Sequence, residues 1–168
     1  WDSNRGRVTL YSGIGNGEPI KPFCIGDGVD QDCPCGNDST NEAGCANSTG
    51  NGALLTTSGT HSIDRDDLVF HVSNAVPNQP CLLIQGVTTV SIPFRDGVLC
   101  MGNPTERMEV VFLDASGYGA TTISIATEGD VEPSKRRYYQ SWYRDPGGVS
   151  PCGHDSNFTN GIKVLWRI

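Results

Sequence analysis

The stretch DLVFHVSNAVPNQPCLLIQGVTTVSIPF, residues 67–94, decides the fold class. It holds three runs rich in apolar and β-branched residues, and Asn and Pro residues separate the first run from the second. In an extended chain, successive side chains point to opposite faces, so alternation with a period of two marks a strand. The stretch therefore predicts three short β-strands joined by turns.

The same pattern continues through the rest of the chain after Gly52. Nine segments of 4 to 10 residues are separated by turn formers, and no window places apolar residues at helical spacing over three turns. This spacing predicts an all-β, antiparallel sandwich or jelly roll. The segments are ALLTTSG, DLVFHVSNA, CLLIQGV, TTVSIPF, GVLC, RMEVVFLD, ATTISIAT, RRYYQSWYRD and GIKVLWRI.

Composition and charge exclude several classes of partner. The chain has 168 residues and a formal net charge of -7, with only 12 Lys and Arg scattered along it. Because nucleic acids are bound by clustered cations, no nucleic-acid partner is expected. No apolar run reaches the ~18 residues that a membrane helix needs, so no membrane insertion is expected either.

Seven cysteines indicate an oxidising compartment outside the cytoplasm, either secreted or at the cell surface. Cys81 lies in the apolar run CLLIQG and is predicted to be the unpaired thiol. The other six are predicted to form three disulfides, and the residues alone leave their pairing open. Between Cys24 and Gly52 there is no apolar periodicity, so an irregular loop region stapled by disulfides is predicted. The six cysteines are Cys24, Cys33, Cys35, Cys45, Cys100 and Cys152.

The same loop region carries a candidate calcium site. Asp27, Asp30, Asp32 and Asp38 lie close together among glycines, and calcium takes six to eight such oxygens. The alternative is that these short acids cap backbone N–H groups in turns. Zinc is disfavoured because the cysteine spacings do not form paired C-x2-4-C knuckles, and no other cofactor is expected.

No catalytic residues are predicted, and the chain is not expected to be an enzyme. It lacks the serine-hydrolase elbow, the zinc-protease motif and the P-loop. His71 alternates with Phe70 and Val72 in a predicted strand, which favours a structural role. Three N-x-[ST] sequons, at Asn37, Asn47 and Asn157, lie in turn-rich sequence and are predicted at the surface.

The aromatic stretch RRYYQSWYRDP, residues 136–146, suggests a carbohydrate-binding face. In a strand, Tyr138 and Trp142 share a face and are able to stack on sugar rings. Tyr139 and Tyr143 would then lie on the opposite face. The alternative is that the aromatic side chains fill the core.

Residues 1–22 differ in character from the rest of the chain and are predicted to form an arm and hinge. The run RVTLYSG alternates like a strand, and the glycine-rich GIGNGEPIKP comes directly after it. A strand on a flexible tether either folds back onto its own sheet or adds to the sheet of a neighbour. Its predicted partner-strand residues are Arg7, Val8, Thr9, Leu10 and Tyr11.

Several motifs resemble a Cys-rich family of secreted β-domains of unknown function, found in planctomycete-like and myxobacterium-like surface proteins. The motifs are CPCGN (33–37), GCANSTGNGALLTTSG (44–59), FRDGVLC (94–100), WYRDP (142–146), SPCG (150–153) and FTNGIKVLW (158–166). The resemblance implies a domain over residues 23–168, with 1–22 as an addition. It also implies the disulfides Cys100–Cys152, Cys35–Cys45 and Cys24–Cys33.

Together these features favour a non-enzymatic secreted structural protein. The expected partner is a second copy of the chain, in an extracellular fibre assembled through the N-terminal strand. The alternative function is a carbohydrate-binding or adhesive surface module, with a polysaccharide as partner.

Overall fold

The computed structural model describes residues 18–40 and 42–168. This part of the chain consists almost wholly of strands, with one short helix. The elements in chain order are β1 (Ile20–Phe23), β2 (Leu54–Ser58), β3 (Val69–Ser73), β4 (Pro80–Phe94), β5 (Gly97–Phe112), β6 (Gly119–Ala120), α1 (Ile125–Glu128), β7 (Arg136–Arg144) and β8 (Ser156–Leu165).

The strands form two antiparallel sheets. The larger sheet has the order β1-β8-β7-β4-β5, and the smaller has the order β2-β3-β6. One face of each sheet is buried against the other, which confirms the predicted all-β, antiparallel sandwich. No helix in the described residues is long and apolar enough to span a bilayer.

The main core lies between the two sheets and is rich in aromatic side chains. Phe70 of β3 packs on Tyr139 of β7 with ring centroids 4.6 Å apart. Trp166 Nε1 donates to the Tyr139 hydroxyl at 3.2 Å, so the polar atoms of both buried rings are satisfied. Each such ring contributes about 2 kcal/mol by leaving water, so this cluster stabilises the packing of the two sheets.

The β4–β5 hairpin is long and bends back over the outer face of the larger sheet. β7 pairs with β4 only as far as Gly86, and the β4–β5 register shifts just beyond that residue. The side chain of Gln140 in β7 accepts from Cys100 N at 3.0 Å and donates to Val98 O at 2.9 Å. The first part of β5 therefore lies across the outer face of β7.

A second hydrophobic cluster forms beneath this folded hairpin. It joins the hairpin to the cysteine-rich loop through buried Cys24, Cys33, Cys45, Val98, Cys100 and Met101. The polar loop contributes almost no apolar side chains of its own, so the cysteines supply the apolar surface and the covalent links. This confirms the predicted disulfide-stapled loop region.

The disulfides join Cys24 to Cys100, Cys33 to Cys45 and Cys35 to Cys152. All three pairs implied by the resemblance are therefore wrong, although the six paired residues are right. The hairpin carries Cys100 over the sheet to Cys24, a contact that spans 76 positions of sequence and that local spacing does not reveal. Cys81 is the unpaired thiol and is buried, as predicted.

Three further differences concern element boundaries. Four predicted segments merge into the two long strands β4 and β5. ATTISIAT is not one strand: only Ala120 belongs to β6, and the last three residues of the segment begin the helical turn α1, whose Ile125 and Ala126 enter the core. β1 pairs with β8 from Ile20 onward, so the predicted boundary between residues 22 and 23 falls inside a strand of the larger sheet.

Candidate assembly surface

The outer face of the larger sheet carries an apolar row that crosses four strands. Phe158 lies opposite Trp142, Trp142 opposite Leu82, and Leu82 opposite Val110. We name these four residues, one each from β8, β7, β4 and β5, the apolar row. The rings of Phe158 and Trp142 are stacked with centroids 6.5 Å apart.

One end of the apolar row is covered and the other is open. At the covered end, Phe94 of the hairpin packs edge-to-face on Phe158 at 5.9 Å, and Phe158 is only 3% exposed. At the open end, Val110 is 53% exposed and its β5 neighbour Phe112 is 77% exposed. Large apolar side chains so exposed on an edge strand indicate a contact surface.

The backbone edge of β5 lies beside this open end. Within residues 18–40 and 42–168, β5 pairs with no strand except β4. Alternate N–H and C=O groups of an edge strand point away from the sheet and are available to another strand. From Thr105 to Phe112 β5 contains neither Pro nor Lys, the two residues that most often protect such an edge.

The other sheet edges are protected or short. Asn160 uses its side-chain amide to bind both Leu55 N, at 2.7 Å, and Leu55 O, at 3.2 Å, and so occupies the edge of β2. β1 contains Pro22, which lacks an N–H, and β6 has only two residues. β5 is therefore the long, open edge of the described fold.

The predicted partner-strand residues 7–11 lie outside the described residues. The described chain starts at Glu18, and β1 begins two residues later, at Ile20. β1 is at the opposite edge of the larger sheet from β5. The described chain therefore begins at the edge of the larger sheet that lies away from the open edge.

Tyr138 and Trp142, predicted to bind glycans, are not brought together on one open face. Tyr138 packs edge-to-face on Phe23 at 5.6 Å in the second cluster, whereas Trp142 belongs to the apolar row. Between them, the side chain of Gln140 is fully buried under β5. Both aromatic residues are half-buried, so the geometry does not favour a two-ring sugar platform, and glycan binding stays a prediction.

On the opposite face of β7 the aromatic side chains fill the core. Tyr139 and Tyr143 are both fully buried in the main core. This confirms core packing for the set of side chains that alternates with Tyr138 and Trp142. Burial raises the pKa of both hydroxyls far above the ordinary value of tyrosine.

The predicted calcium ligands bind backbone amides instead of converging. Asp27 Oδ1 accepts from Val29 N at 2.9 Å and Asp30 N at 2.7 Å, and these bonds lower the pKa of its carboxyl. Asp30 accepts from Ile25 N at 2.7 Å, and Asp38 accepts from Cys33 N at 3.1 Å. Neither these acids nor Asp32 belong to a metal-binding group: the described ranges contain no set of three or more His, Cys, Asp or Glu arranged to hold an ion. The arrangement matches the alternative, turn-capping interpretation.

His71 has partners on both ring nitrogens. Nε2 lies 2.7 Å from Ser58 Oγ and Nδ1 lies 2.9 Å from the Tyr118 hydroxyl. Burial lowers the pKa of the imidazole, so its neutral form is favoured. The group on Nδ1 is a phenol hydroxyl instead of a carboxylate, so the geometry does not reproduce a Ser-His-Asp triad.

The predicted surface exposure of the sequons is wrong for Asn47 and Asn157. Asn47 is 2% exposed and donates to Asn74 O at 3.0 Å. Asn157 is fully buried and donates to Cys45 O at 3.2 Å and Ala46 O at 3.1 Å. The amide nitrogens that would carry glycans thus hold the loop region against the sheets.

The sequence reasoning missed the fold-back of the hairpin, although two glycines signal it. Gly86 and Gly102 lie where β4 and β5 bend, and a Cβ added to Gly86 would be 2.9 Å from Gly102 O. Glycine inside a strand often marks a bend or a close approach of two backbones. Both glycines interrupt otherwise strand-like sequence.

Comparison with known proteins gives no match to any family model, curated protein or solved structure. The resemblance to secreted Cys-rich β-domains therefore stays a prediction.

Proposed function

We propose that this protein is a non-enzymatic, secreted structural subunit that assembles into a fibre, with its N-terminal strand joining the sheet of a neighbouring copy. The observation that carries the proposal is an alternating strand sequence at residues 7–11, just ahead of a sandwich that has one long open edge. A strand-like sequence and an edge that is open within the described residues complement each other.

The position of β1 favours a neighbour's sheet over the chain's own. The two outer strands of the larger sheet are four strand spacings apart, about 19 Å. One face of that sheet is covered by the smaller sheet, and much of the other by the folded hairpin. The eight residues from Ser12 to Pro19 span at most ~28 Å. A path to the chain's own β5 must pass around one of these covers and is therefore longer than the direct ~19 Å.

The disulfides support an extracellular location. Three disulfides are consistent with an oxidising compartment, and none of the described helices is able to span a membrane. Secretion and display at the cell surface form part of the proposal.

The test compares the full chain with a variant lacking residues 1–17, which leaves β1 intact. Light scattering across a dilution series should show large assemblies of the full chain that grow with concentration. The shortened chain should stay monomeric. Negative-stain electron microscopy of the same samples should show filaments only for the full chain.

A point-variant pair controls for non-specific effects of truncation. Val8→Asp/Leu10→Asp places charge at the alternating apolar positions and should abolish assembly. Asn4→Asp/Asn16→Asp adds the same charge outside residues 7–13 and should assemble like the unaltered chain.

Two results would contradict the proposal. The first is a monomer at every concentration whose behaviour does not depend on residues 1–17. The second is a monomer that melts at a lower temperature after the deletion, because that result would place the strand on the chain's own sheet.

A further inference from the structure

We infer that the acceptor for the neighbour's strand is the outer edge of β5 over residues 106–112, where Val8 and Leu10 of the incoming strand extend the apolar row. This inference rests on the proposed function and names the edge that accepts the neighbour's strand. Strand addition at a different edge would also build a fibre, so strand addition and the β5 acceptor edge are tested separately.

The side-chain pattern of β5 matches that of the incoming strand. Val110 and Phe112 are two positions apart on one face and are the exposed apolar residues of this edge. Val8 and Leu10 are also two positions apart in an alternating run. Residues directly opposite each other in neighbouring strands have Cβ atoms about 4.5–5.5 Å apart, so either strand direction places both apolar pairs in contact.

The lengths of the two segments also match. The open part of β5, residues 106–112, has seven residues, as has the run RVTLYSG, residues 7–13. Seven residues of strand extend about 23 Å. In the antiparallel register that places Val8 opposite Phe112 and Leu10 opposite Val110, residues 8–13 lie opposite residues 107–112. The incoming strand therefore covers nearly all of the open edge and supplies partners for its outward-pointing N–H and C=O groups.

The opposite face of the added strand meets the rim of the sandwich. Val111 is half-buried there, and Glu109 accepts from Thr122 N at 2.9 Å, which links β5 to the loop before α1. Thr9 and Tyr11 would project toward this rim. A hydroxyl-bearing pair suits a boundary that is half apolar and half solvated.

Charge favours the same encounter. Residues 1–17 contain two arginines and one aspartate, whereas the whole chain has a formal net charge of -7. The segment is therefore cationic and the folded body is acidic, so the segment of one copy is attracted to the body of another.

The positions of donor and acceptor determine the type of assembly. The donor segment precedes β1, which is one edge of the larger sheet, and the acceptor is the opposite β5 edge of the same sheet. Donor and acceptor are different surfaces, so the contact is heterologous and repeats head to tail. The result is an open filament in which each larger sheet gains a sixth strand from its neighbour.

The experiment mixes a donor-defective chain with an acceptor-defective chain, both full length. Val8→Asp/Leu10→Asp removes the donor face, and Val110→Lys/Phe112→Lys removes the acceptor face. Each variant alone should stay monomeric to at least tenfold above the concentration at which the unaltered chain assembles. An equimolar mixture should form a one-to-one heterodimer and stop, because only one productive contact remains.

A matched control changes exposed apolar residues elsewhere. Val29 and Val149 are 91% and 69% exposed in loops. Val29→Lys/Val149→Lys adds the same charge as the acceptor variant and should assemble like the unaltered chain. Circular dichroism and thermal unfolding verify that every variant is folded.

The outcomes separate this inference from the proposed function. Assembly of the acceptor variant at the normal concentration, with the donor variant monomeric, would overturn the β5 site and leave strand addition standing. A monomeric unaltered chain would overturn both.

Hydrogen exchange gives a second measurement that does not depend on the lysine variant. A synthetic peptide of residues 5–13 is added to the full-length donor variant. The expected result is at least tenfold slower amide exchange across residues 106–112, without slowing in β1. Protection of another edge, or of none, would contradict the inference.

Discussion

At the scale of single residues, asparagine side chains join the cysteine-rich loop to the sheets. Asn37 and Asn157 both donate to the carbonyl of Ala46, at 2.8 Å and 3.1 Å. Asn37 also donates to Asp96 O at 2.8 Å, in the turn of the β4–β5 hairpin. These amides hold a loop that has few apolar contacts, because each satisfies carbonyls that the fold takes out of water.

Replacing Asn157 by Asp tests this role. A carboxylate would face Cys45 O and Ala46 O with no proton to donate, in a fully buried position. We expect a loss of about 3 kcal/mol in the free energy of unfolding at pH 7, measured by urea denaturation. Asn51→Asp, at an exposed position in the same loop region, should cost less than about 0.5 kcal/mol. Equal losses for the two variants would contradict the assignment.

The histidines predict how stability depends on pH. Burial lowers the pKa of His71, and burial together with Arg167 lowers the pKa of His61. In the unfolded chain both histidines have the ordinary pKa of about 6.5. Below that pH the unfolded chain therefore binds more protons than the folded chain does. The stabilisation is complete above that pH and is lost as the pH falls through the lowered pKa values.

Thermal unfolding from pH 7.5 to pH 5 measures the effect. The melting temperature of the unaltered chain should fall over this interval. The combined variant His61→Gln/His71→Gln should show a flatter profile, whatever its absolute stability. An unchanged slope in the variant would show that other groups cause the dependence.

At the scale of elements, the folded-back hairpin is the unusual part of the architecture. Its tip lies over β7 and β8, held by Gln140, by the bond from Asp96 N to Ser156 O at 3.1 Å, and by the Cys24–Cys100 disulfide. The hairpin thereby covers one end of the apolar row and leaves the other exposed. The extent of the open surface is set by where β4 and β5 bend.

Removing disulfides in pairs tests how the hairpin is held. Cys24 and Cys100 are 76 positions apart, and Cys33 and Cys45 are 12 apart. The chain-entropy relation predicts that Cys24→Ala/Cys100→Ala costs about 1.6 kcal/mol more than Cys33→Ala/Cys45→Ala. Urea denaturation of the two double variants measures the difference. All four cysteines are buried, so each variant is the control for the other. A smaller loss for the 24/100 variant would contradict this explanation.

The elements also show how far sequence reasoning reaches. β2, β3 and β7 lie within predicted segments, because their alternation is local and half-buried. The bend of the hairpin was not predicted, because it depends on bulges and on contacts between distant strands. The prediction of the disulfide pairing failed for the same reason: Cys100 meets Cys24 only after the hairpin folds back.

Of the assembly surface, the donor strand was proposed from its sequence. The acceptor edge requires the strand order, which the sequence does not contain.

At the scale of the whole molecule, the sandwich protects its edges unequally. The side chain of Asn160 binds the backbone of β2, whereas β5 presents Phe112 at 77% exposure beside a backbone edge that no strand covers in the described fold. Such an edge promotes uncontrolled aggregation unless a specific strand covers it. A donor strand from a neighbour would both build the assembly and cover that edge.

Limited proteolysis tests this at the level of the assembly. Trypsin cleaves after Arg5 and Arg7, and a strand paired in a sheet resists cleavage because it does not fit a protease cleft as an extended, free chain. We expect cleavage at these two arginines to slow at least tenfold in assembled material relative to the monomeric Val110→Lys/Phe112→Lys variant. Cleavage after Arg65, in an exposed turn, serves as the internal reference. Equal rates at Arg5 and Arg7 in both states would contradict strand addition.

The disulfide connectivity has a consequence for how the chain matures after translation. Cys33 and Cys35 are neighbours, yet their partners lie 12 and 117 positions further along. A chain emerging from the ribosome or a translocon presents Cys24, Cys33, Cys35 and Cys45 before Cys100 and Cys152 exist. Only the Cys33–Cys45 bond has both partners at that stage, so any early bond to Cys24 or Cys35 is a wrong one. Cys24 and Cys35 therefore either stay reduced until Cys152 is made, or form early bonds that thiol exchange must break before the native set is complete.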